Sequence, residues 1–221
     1  MRKCWKKSIG AKHQASRNEI TQHDGSWRTK EGILSGTESC LFLTDRFTRA
    51  IDYARHLHIE RRKGTSIPYM AHLLGVAALV MGESGHARVP VTEDMVIAAL
   101  LHDAVEDYGG WPRLHDIECN FGPEVGRMVK GLSDSFADDH NKKASWEERK
   151  AAYIERLKEE PDDVYLISVS DKLYSARAIL EDYRQIGPEI WQRFKRGQGS
   201  TALVFQRVAR GLQVTCENSD C

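Results

Sequence analysis

The stretch MVIAALLHDAVED, residues 95–107, is the part of this 221-residue chain that decides its fold. Its first seven residues are apolar around the whole circumference of a helix, which predicts that this helix is buried. The apolar run leads directly into His102, Asp103, Glu106 and Asp107, which form two pairs at i,i+4 spacing. Because burying unpaired carboxylates costs several kcal/mol each, we expect a cation close to them, and a divalent metal ion would satisfy this need.

Two other predicted helices carry a polar residue on their apolar side. His72 shares a stripe with Val76 and Val80, and Asp171 shares one with Ile167. Together with the pair at 102–103 they provide two imidazoles and two carboxylates on three helices. Such a set of N and O ligands suits Mn, Fe, Zn or Mg.

Each of these residues also has a simpler interpretation. A single histidine such as His72 on an apolar face is more often a hydrogen-bonded core residue than a ligand. Asp171 is followed by Lys172, and the two could form an ordinary ion pair on a helix surface. The hypothesis of a metal site therefore depends on the whole set and not on any one member.

Helical patterns cover the chain from residue 41 onward and favour an all-α fold. Thr44 is the predicted N-cap of a helix running to about Arg62, and Thr92 that of a helix running to Asp107. Ser145 with Glu148 forms a capping box, and Pro68 opens a helix. A polar loop is expected over 134–144, and two more helices are expected at 188–196 and 200–212. We predict one helical domain over 41–213 and a short tail over 214–221, with no strand. Residues 1–40 are polar, with eight Lys/Arg against four Asp/Glu and no helical period, so we expect a disordered leader there.

Composition excludes several classes of protein. The chain has 32 Lys+Arg against 32 Asp+Glu, which argues against a generally basic nucleic-acid binder. No apolar run approaches the roughly 20 residues that span a bilayer, and no signal peptide is apparent. The five cysteines are scattered and odd in number, as in reduced cytosolic proteins. We expect a cytoplasmic protein with neither a nucleic-acid nor a membrane partner.

The pattern His72…His102-Asp103…Asp171, with AALLHDAVED at 98–107, resembles the HD-domain metal-dependent phosphohydrolases. It is most similar to the hydrolase domain of the RelA/SpoT homologues and to the small alarmone hydrolases. The likeness spans about residues 42–212 and includes four more motifs: RRK at 61–63, IPYMAH at 67–72, WEERKAAYI at 146–154 and SDKLYSARAIL at 170–180.

The resemblance implies a single helical HD-domain bundle that holds one divalent metal ion, Mn²⁺ in this family. The implied ligands are His72, His102, Asp103 and Asp171, and Glu106 and Asp107 would activate and orient the attacking water. The implied substrate is guanosine tetra- or pentaphosphate, hydrolysed to GDP or GTP and pyrophosphate. The residues expected to bind this nucleotide are Arg62, Lys63, Tyr69, Ser175 and Arg177, with Lys143, Arg149 and Lys150 as further candidates for phosphate contact.

The chain departs from the family pattern at three places. Ser175 replaces the usual Asn, Tyr174 replaces the His common just before it, and LVFQRV at 203–208 lacks an expected aromatic run. Two alternatives to the guanosine substrate therefore stay open: an adenine analogue and the 2′-phosphate of NADPH. A third alternative is a regulator that binds nucleotide without turnover, although Glu106 and Asp107 argue against it.

Overall fold

The computed structural model describes residues 41–134, 145–157 and 159–194, together with three strands before residue 34. The chain divides into two compact units, Met1–Glu38 and Ser39–Cys221. In the first unit, β1 (Thr21–His23), β2 (Ser26–Thr29) and β3 (Gly32–Ile33) form an antiparallel sheet in sequence order. Sequence patterns did not predict these strands. The rest of the expected leader, the loop at 135–144, the helix expected at 200–212 and the tail at 214–221 lie outside the described residues.

The second unit is helical in its described part, as predicted. Its elements are α1 (Asp45–Leu57), α2 (Met70–Gly82), α3 (Glu93–Leu101), α4 (Ala104–Asp107), α5 (Gly110–Phe121), α6 (Pro123–Leu132), α7 (Trp146–Leu157) and α8 (Asp162–Ile186), followed by a 3-10 helix at Gly187–Arg193. None of the helices in the described ranges is long and apolar enough to cross a membrane.

The predicted helix caps are confirmed. The Thr44 hydroxyl accepts from the backbone N–H of Arg46, and that of Thr92 accepts from Met95. The capping box at the start of α7 is complete. The Ser145 hydroxyl accepts from the Glu148 N–H at 3.3 Å, and the Glu148 carboxylate accepts from the Ser145 N–H at 3.0 Å.

Two predicted helix boundaries were wrong. The helix expected to reach about residue 62 ends at Leu57, because the following residues bond across a loop instead, with the Tyr69 N–H donating to the Glu60 carbonyl at 3.0 Å. The helix expected to continue from Thr92 to Asp107 breaks after Leu101. Asp103 has φ −93° and ψ −8°, which interrupts the regular helical hydrogen bonds and separates α3 from α4.

Helix α3 lies at the centre of the core, as its uniformly apolar sequence predicted. Every residue from Met95 to Leu101 is at most 2% exposed. Helices α1, α2, α6 and α8 all pack against it. Side chains that project from the end of α3 are therefore surrounded by α2 and α8, and this arrangement positions the site described next.

Candidate functional site

Four of the predicted site residues meet in one buried cluster, which we call the His–Asp cluster: His72, His102, Asp103 and Asp171. The Nε2 atoms of His72 and His102 are 3.3 Å apart. Asp103 Oδ2 lies 3.0 Å from Nε2 of His102 and 3.6 Å from Nε2 of His72. Asp171 Oδ1 lies 3.8 Å and 3.4 Å from the same two atoms. Both imidazoles are 5% exposed, so the cluster is enclosed by protein.

The buried helix α3 sets the direction of His102. Its Nδ1 lies 2.8 Å from the carbonyl oxygen of Ala99. Because a carbonyl oxygen can only accept, Nδ1 carries the proton, and in the neutral ring the lone pair of Nε2 faces the cluster. This is the tautomer that a metal ligand requires.

The electrostatics of the cluster also favour a cation. Burial alone lowers the pKa of His102, but the charge and hydrogen bond of Asp103 outweigh burial and hold this pKa at about 9. Burial likewise opposes ionisation of Asp103, yet the two histidines keep its pKa well below its usual range. The carboxylates therefore stay ionised and attract positive charge, either protons on the imidazoles or a bound ion.

The donor atoms fit a divalent metal ion. One ligand atom from each of His72, His102 and Asp103 lies within 4.8 Å of the other two, and Asp171 Oδ1 faces the two histidines. Nitrogen and carboxylate donors in this arrangement suit a divalent first-row ion or Mg²⁺. The chemistry of the site thus agrees with the metal centre that the sequence predicted.

Neighbouring side chains hold both carboxylates in place. The Tyr69 hydroxyl donates to Asp103 Oδ2 at 2.5 Å, and Lys172 forms an ion pair with Asp171 Oδ2. The Ser175 hydroxyl donates to Asp171 Oδ1 at 3.4 Å. Tyr69 and Ser175, which were predicted to bind nucleotide, therefore contact cluster carboxylates in this structure.

The role of Lys172 was missed in the sequence, where its pairing with Asp171 was considered as an ordinary surface contact. Its side chain is only 21% exposed, and its Nζ lies 5.6 Å from the ring centroid of Tyr153. Adjacency of opposite charges in a sequence does not reveal burial, so no sequence signal could have distinguished the two interpretations.

A second group of residues whose role was missed in the sequence packs against the ring of Tyr69. His58 is 2% exposed and stacks on the Tyr69 ring, with centroids 5.1 Å apart. Its Nδ1 lies 3.0 Å from Glu60 Oε1, and the Tyr108 hydroxyl donates to Glu60 Oε2 at 2.5 Å. His58 shares one face of the helix predicted from Thr44 with Phe47, Ile51 and Ala54, and this position was the one available signal.

The acidic pair Glu106 and Asp107 follows Asp103 of the cluster in the chain, and Glu106 is half-buried. Glu106 Oε1 lies 3.4 Å from Nη1 of Arg149, and the same Nη1 lies 2.5 Å from Asp134 Oδ1. Asp107 is exposed at the end of α4. Arg149, a candidate for phosphate contact, is thus placed beside the predicted water-activating carboxylate. The role of this pair in catalysis stays a prediction.

A pocket of about 520 Å³ lies between α2, α8 and the loop at 61–68. None of the four cluster residues lines it, and the ring of Tyr174 connects its wall to His72. Its polar lining consists of two arginines, two carboxylates and an amide: Arg62, Arg177, Glu181, Asp182 and Gln185. The ring of Tyr174 forms part of its wall. The Arg62 guanidinium lies 6.0 Å from the Tyr174 ring centroid, and that ring lies 5.3 Å from the ring of His72. The pocket is large enough for a small-molecule ligand.

The predicted phosphate contacts at the three lysines stand differently. Lys63 is exposed and is not among the lining residues. Lys143 and the side chain of Lys150 lie outside the described residues.

Comparisons with known proteins agree with this arrangement. A family model described as "HD domain" matches residues 50–200. The guanosine-3′,5′-bis(diphosphate) 3′-pyrophosphohydrolases MESH1 of Mus musculus and Homo sapiens are each 33% identical over 170 residues, covering 75% of this chain and 84% of theirs. A solved metazoan ortholog of SpoT is similar in fold, with a TM-score of 0.54 and 24% identity over 76% of this chain and 96% of its own. The chain therefore belongs to the HD-domain family.

Proposed function

We propose that this protein is a metal-dependent hydrolase that removes the 3′-pyrophosphate of guanosine tetra- or pentaphosphate, giving GDP or GTP and pyrophosphate. The observation that carries the proposal is the buried His–Asp cluster. A nearby pocket lined by both arginines and carboxylates is the candidate place for the rest of the substrate. The guanosine substrate is supported by the two mammalian relatives, whose names state this activity. We propose a cytoplasmic location from the scattered, odd-numbered cysteines of the sequence.

We infer that His72, His102, Asp103 and Asp171 hold one divalent ion, which we propose to be Mn²⁺. The support is the donor chemistry and the hydrogen bond of His102 Nδ1 to the Ala99 carbonyl, which leaves Nε2 as the nitrogen that faces the cluster. When bound, such an ion polarises a phosphoryl oxygen and lowers the pKa of water at the site. Tyr69 and Lys172 orient the two carboxylates for this task through the contacts to their Oδ2 atoms.

Glu106 is our candidate for the general base. It lies on α4, four residues beyond His102 in the chain, and its contact with Arg149 restrains one carboxylate oxygen. A carboxylate held in this way can accept the proton of the attacking water as the P–O bond to the 3′ oxygen breaks. We assign the orientation of the water to Asp107, on the family pattern.

The pocket is our candidate for the nucleotide site. Arg62 and Arg177 can contact an anionic ligand, and the Tyr174 ring offers an aromatic face. Glu181 and Asp182 line the same pocket and offset part of this positive charge. Lys63, exposed on the same loop as Arg62, can reach a phosphate group from solvent. Ser175 has a shorter side chain than the usual Asn, and its hydroxyl already contacts Asp171.

The proposal is tested by incubating the full chain with Mn²⁺ and guanosine tetraphosphate and measuring pyrophosphate release. We expect Asp103→Asn and Asp171→Asn to abolish release. The matched control is Asp52→Asn, because Asp52 forms an exposed pair with Arg55 on α1 and should not affect activity. Full activity after removal of all divalent metal would contradict the mechanism.

A substrate panel decides the choice of nucleotide. The panel contains guanosine tetraphosphate, its adenine analogue and NADPH at equal concentrations. We expect pyrophosphate release from the guanosine compound. If that compound is inert while the adenine analogue or NADPH is cleaved, the guanosine assignment is wrong and one of the alternatives replaces it.

A further inference from the structure

The loop that carries Arg62, residues 61–68, is closed by its own hydrogen bonds; we call it the arginine loop. The Arg62 N–H donates to the Ile67 carbonyl at 2.8 Å, and the Thr65 N–H donates to the Arg62 carbonyl at 2.9 Å. Gly64 lies at the tip with φ +71°, a conformation that favours glycine. These bonds shape the loop but do not fix it relative to α8, which forms the other wall of the pocket.

Arg193 of the 3-10 helix lies directly on the tip of the arginine loop. A β-carbon added to Gly64 would be 2.5 Å from Cδ, 2.7 Å from Cγ and 2.9 Å from Nε of Arg193. The aliphatic part of the arginine therefore crosses the face of the glycine, and any side chain at residue 64 would displace it.

The guanidinium of the same arginine is bound to α8. Its Nη1 lies 3.0 Å from Oδ2 of Asp182, and the two side chains are only 21% and 17% exposed. One side chain thus links the tip of the arginine loop to the opposite wall of the pocket. A surface ion pair contributes little, but a pair that is mostly withdrawn from water and packed on a backbone restrains both partners.

The ion pair between Arg193 and Asp182 also reduces the negative charge of the pocket lining. Asp182 is one of the lining residues, whereas Arg193 is not. Arg193 therefore neutralises this carboxylate from outside the cavity, while Arg62 and Arg177 line the cavity itself. Without Arg193, the carboxylate would repel an anionic ligand.

We propose that Arg193 is a positioning residue for nucleotide binding: it holds the arginine loop against α8 and cancels the negative charge of Asp182. The identity of the ligand rests on the proposed function, but the link between loop and helix does not. The effect should fall on binding of the nucleotide and leave the chemistry at the His–Asp cluster unchanged.

The first test is independent of any substrate. Amide hydrogen exchange is measured at residues 62, 65 and 67 in the full chain, in Arg193→Met and in Arg193→Lys. Loss of a charge-assisted hydrogen bond should speed exchange by about tenfold or more in Arg193→Met, with a smaller effect in Arg193→Lys. The control, Arg55→Met, removes an equivalent but exposed pair and should leave these amides unchanged. Unchanged exchange in Arg193→Met would overturn the proposal, whatever the substrate is.

The second test separates binding from chemistry. With guanosine tetraphosphate, Arg193→Met should raise KM by about tenfold, as expected for loss of a charge-assisted contact, and leave kcat within about twofold. The double variant Asp182→Asn/Arg193→Met should recover part of this loss, because the repelling charge is gone. A fall in kcat at unchanged KM, or no recovery in the double variant, would contradict the assigned role. If the unmodified chain does not hydrolyse this nucleotide, the proposed function fails, and the exchange experiment still decides the role of Arg193.

Discussion

The close approach of Tyr174 to Gly75 predicts that Gly75→Ala lowers the free energy of unfolding, although the same change at an open helical position would raise it. Gly75 lies on α2 and faces the ring of Tyr174 on α8. A β-carbon added at residue 75 would lie 2.7 Å from Cζ of Tyr174, and closer still to Cε2 and Cδ2. The ring is also 5.3 Å from the ring of His72 and 6.0 Å from the Arg62 guanidinium. An alanine at residue 75 must therefore displace a ring that contacts both the His–Asp cluster and the pocket.

Two effects of Gly75→Ala oppose each other. Alanine in a helix interior is favoured over glycine by about 0.5–1 kcal/mol. Forcing extra volume against a packed side chain costs about 1–3 kcal/mol. Since the clash involves ring carbons that cannot fold away, the second effect should dominate. We expect the free energy of unfolding to fall by about 1 kcal/mol, and KM for the nucleotide to rise because the pocket wall moves.

The assay is urea unfolding followed by circular dichroism. Gly82→Ala is the matched control. Gly82 lies on the same helix, and a β-carbon added there would meet no neighbouring atom within 4 Å. That variant should be stabilised by up to about 1 kcal/mol. Tyr174→Leu, combined with Gly75→Ala, should cost less than the sum of the two single changes, since the clash disappears. If Gly75→Ala stabilises the protein as much as Gly82→Ala does, the ring does not lie on Gly75 and the reasoning is refuted.

Three further predictions concern the metal ion, the proposed general base and Tyr53 on α1. Adding Mn²⁺ to the metal-free chain should raise Tm, by the equivalent of about 2.7 kcal/mol at a hundred times Kd, and Asp171→Asn should remove most of this shift in a thermal melt. Glu106→Gln should keep the Mn²⁺-induced shift of Tm while turnover falls by about 10²–10⁴-fold. Loss of the Tm shift together with turnover would contradict the role of Glu106 as general base. Burial and the hydrogen bond to Asp116 raise the pKa of Tyr53 to about 12 from 10.0, so its contribution to stability is present below pH 10 and is lost as pH rises through 12. Between pH 10 and 12, the free energy of unfolding of Tyr53→Phe, measured with urea, should fall less steeply with pH than that of the unmodified chain. An equal slope for the two proteins would be evidence against the raised pKa of Tyr53.

The fold could be predicted largely from local patterns. Continuous apolar character over 95–101 predicted a buried helix, and all seven residues are at most 2% exposed. Capping residues at 44, 92 and 145 marked helix starts correctly, since an N-cap acts within a few residues of itself. The break after Leu101 was not predictable, because it depends on the backbone angles of Asp103 inside the packed core.

The candidate site was likewise predicted only in part from the sequence. The sequence alone predicted which residues form the His–Asp cluster, because polar residues on the apolar faces of three helices coincided with the motif of a known family. Only the tertiary structure decided what surrounds them: Lys172 on Asp171, His58 behind Tyr69, and Arg193 on the arginine loop. These contacts join residues of different elements or depend on burial, and neither property is encoded in local spacing. Periodicity reports the face on which a side chain lies, whereas its partners depend on how the helices pack.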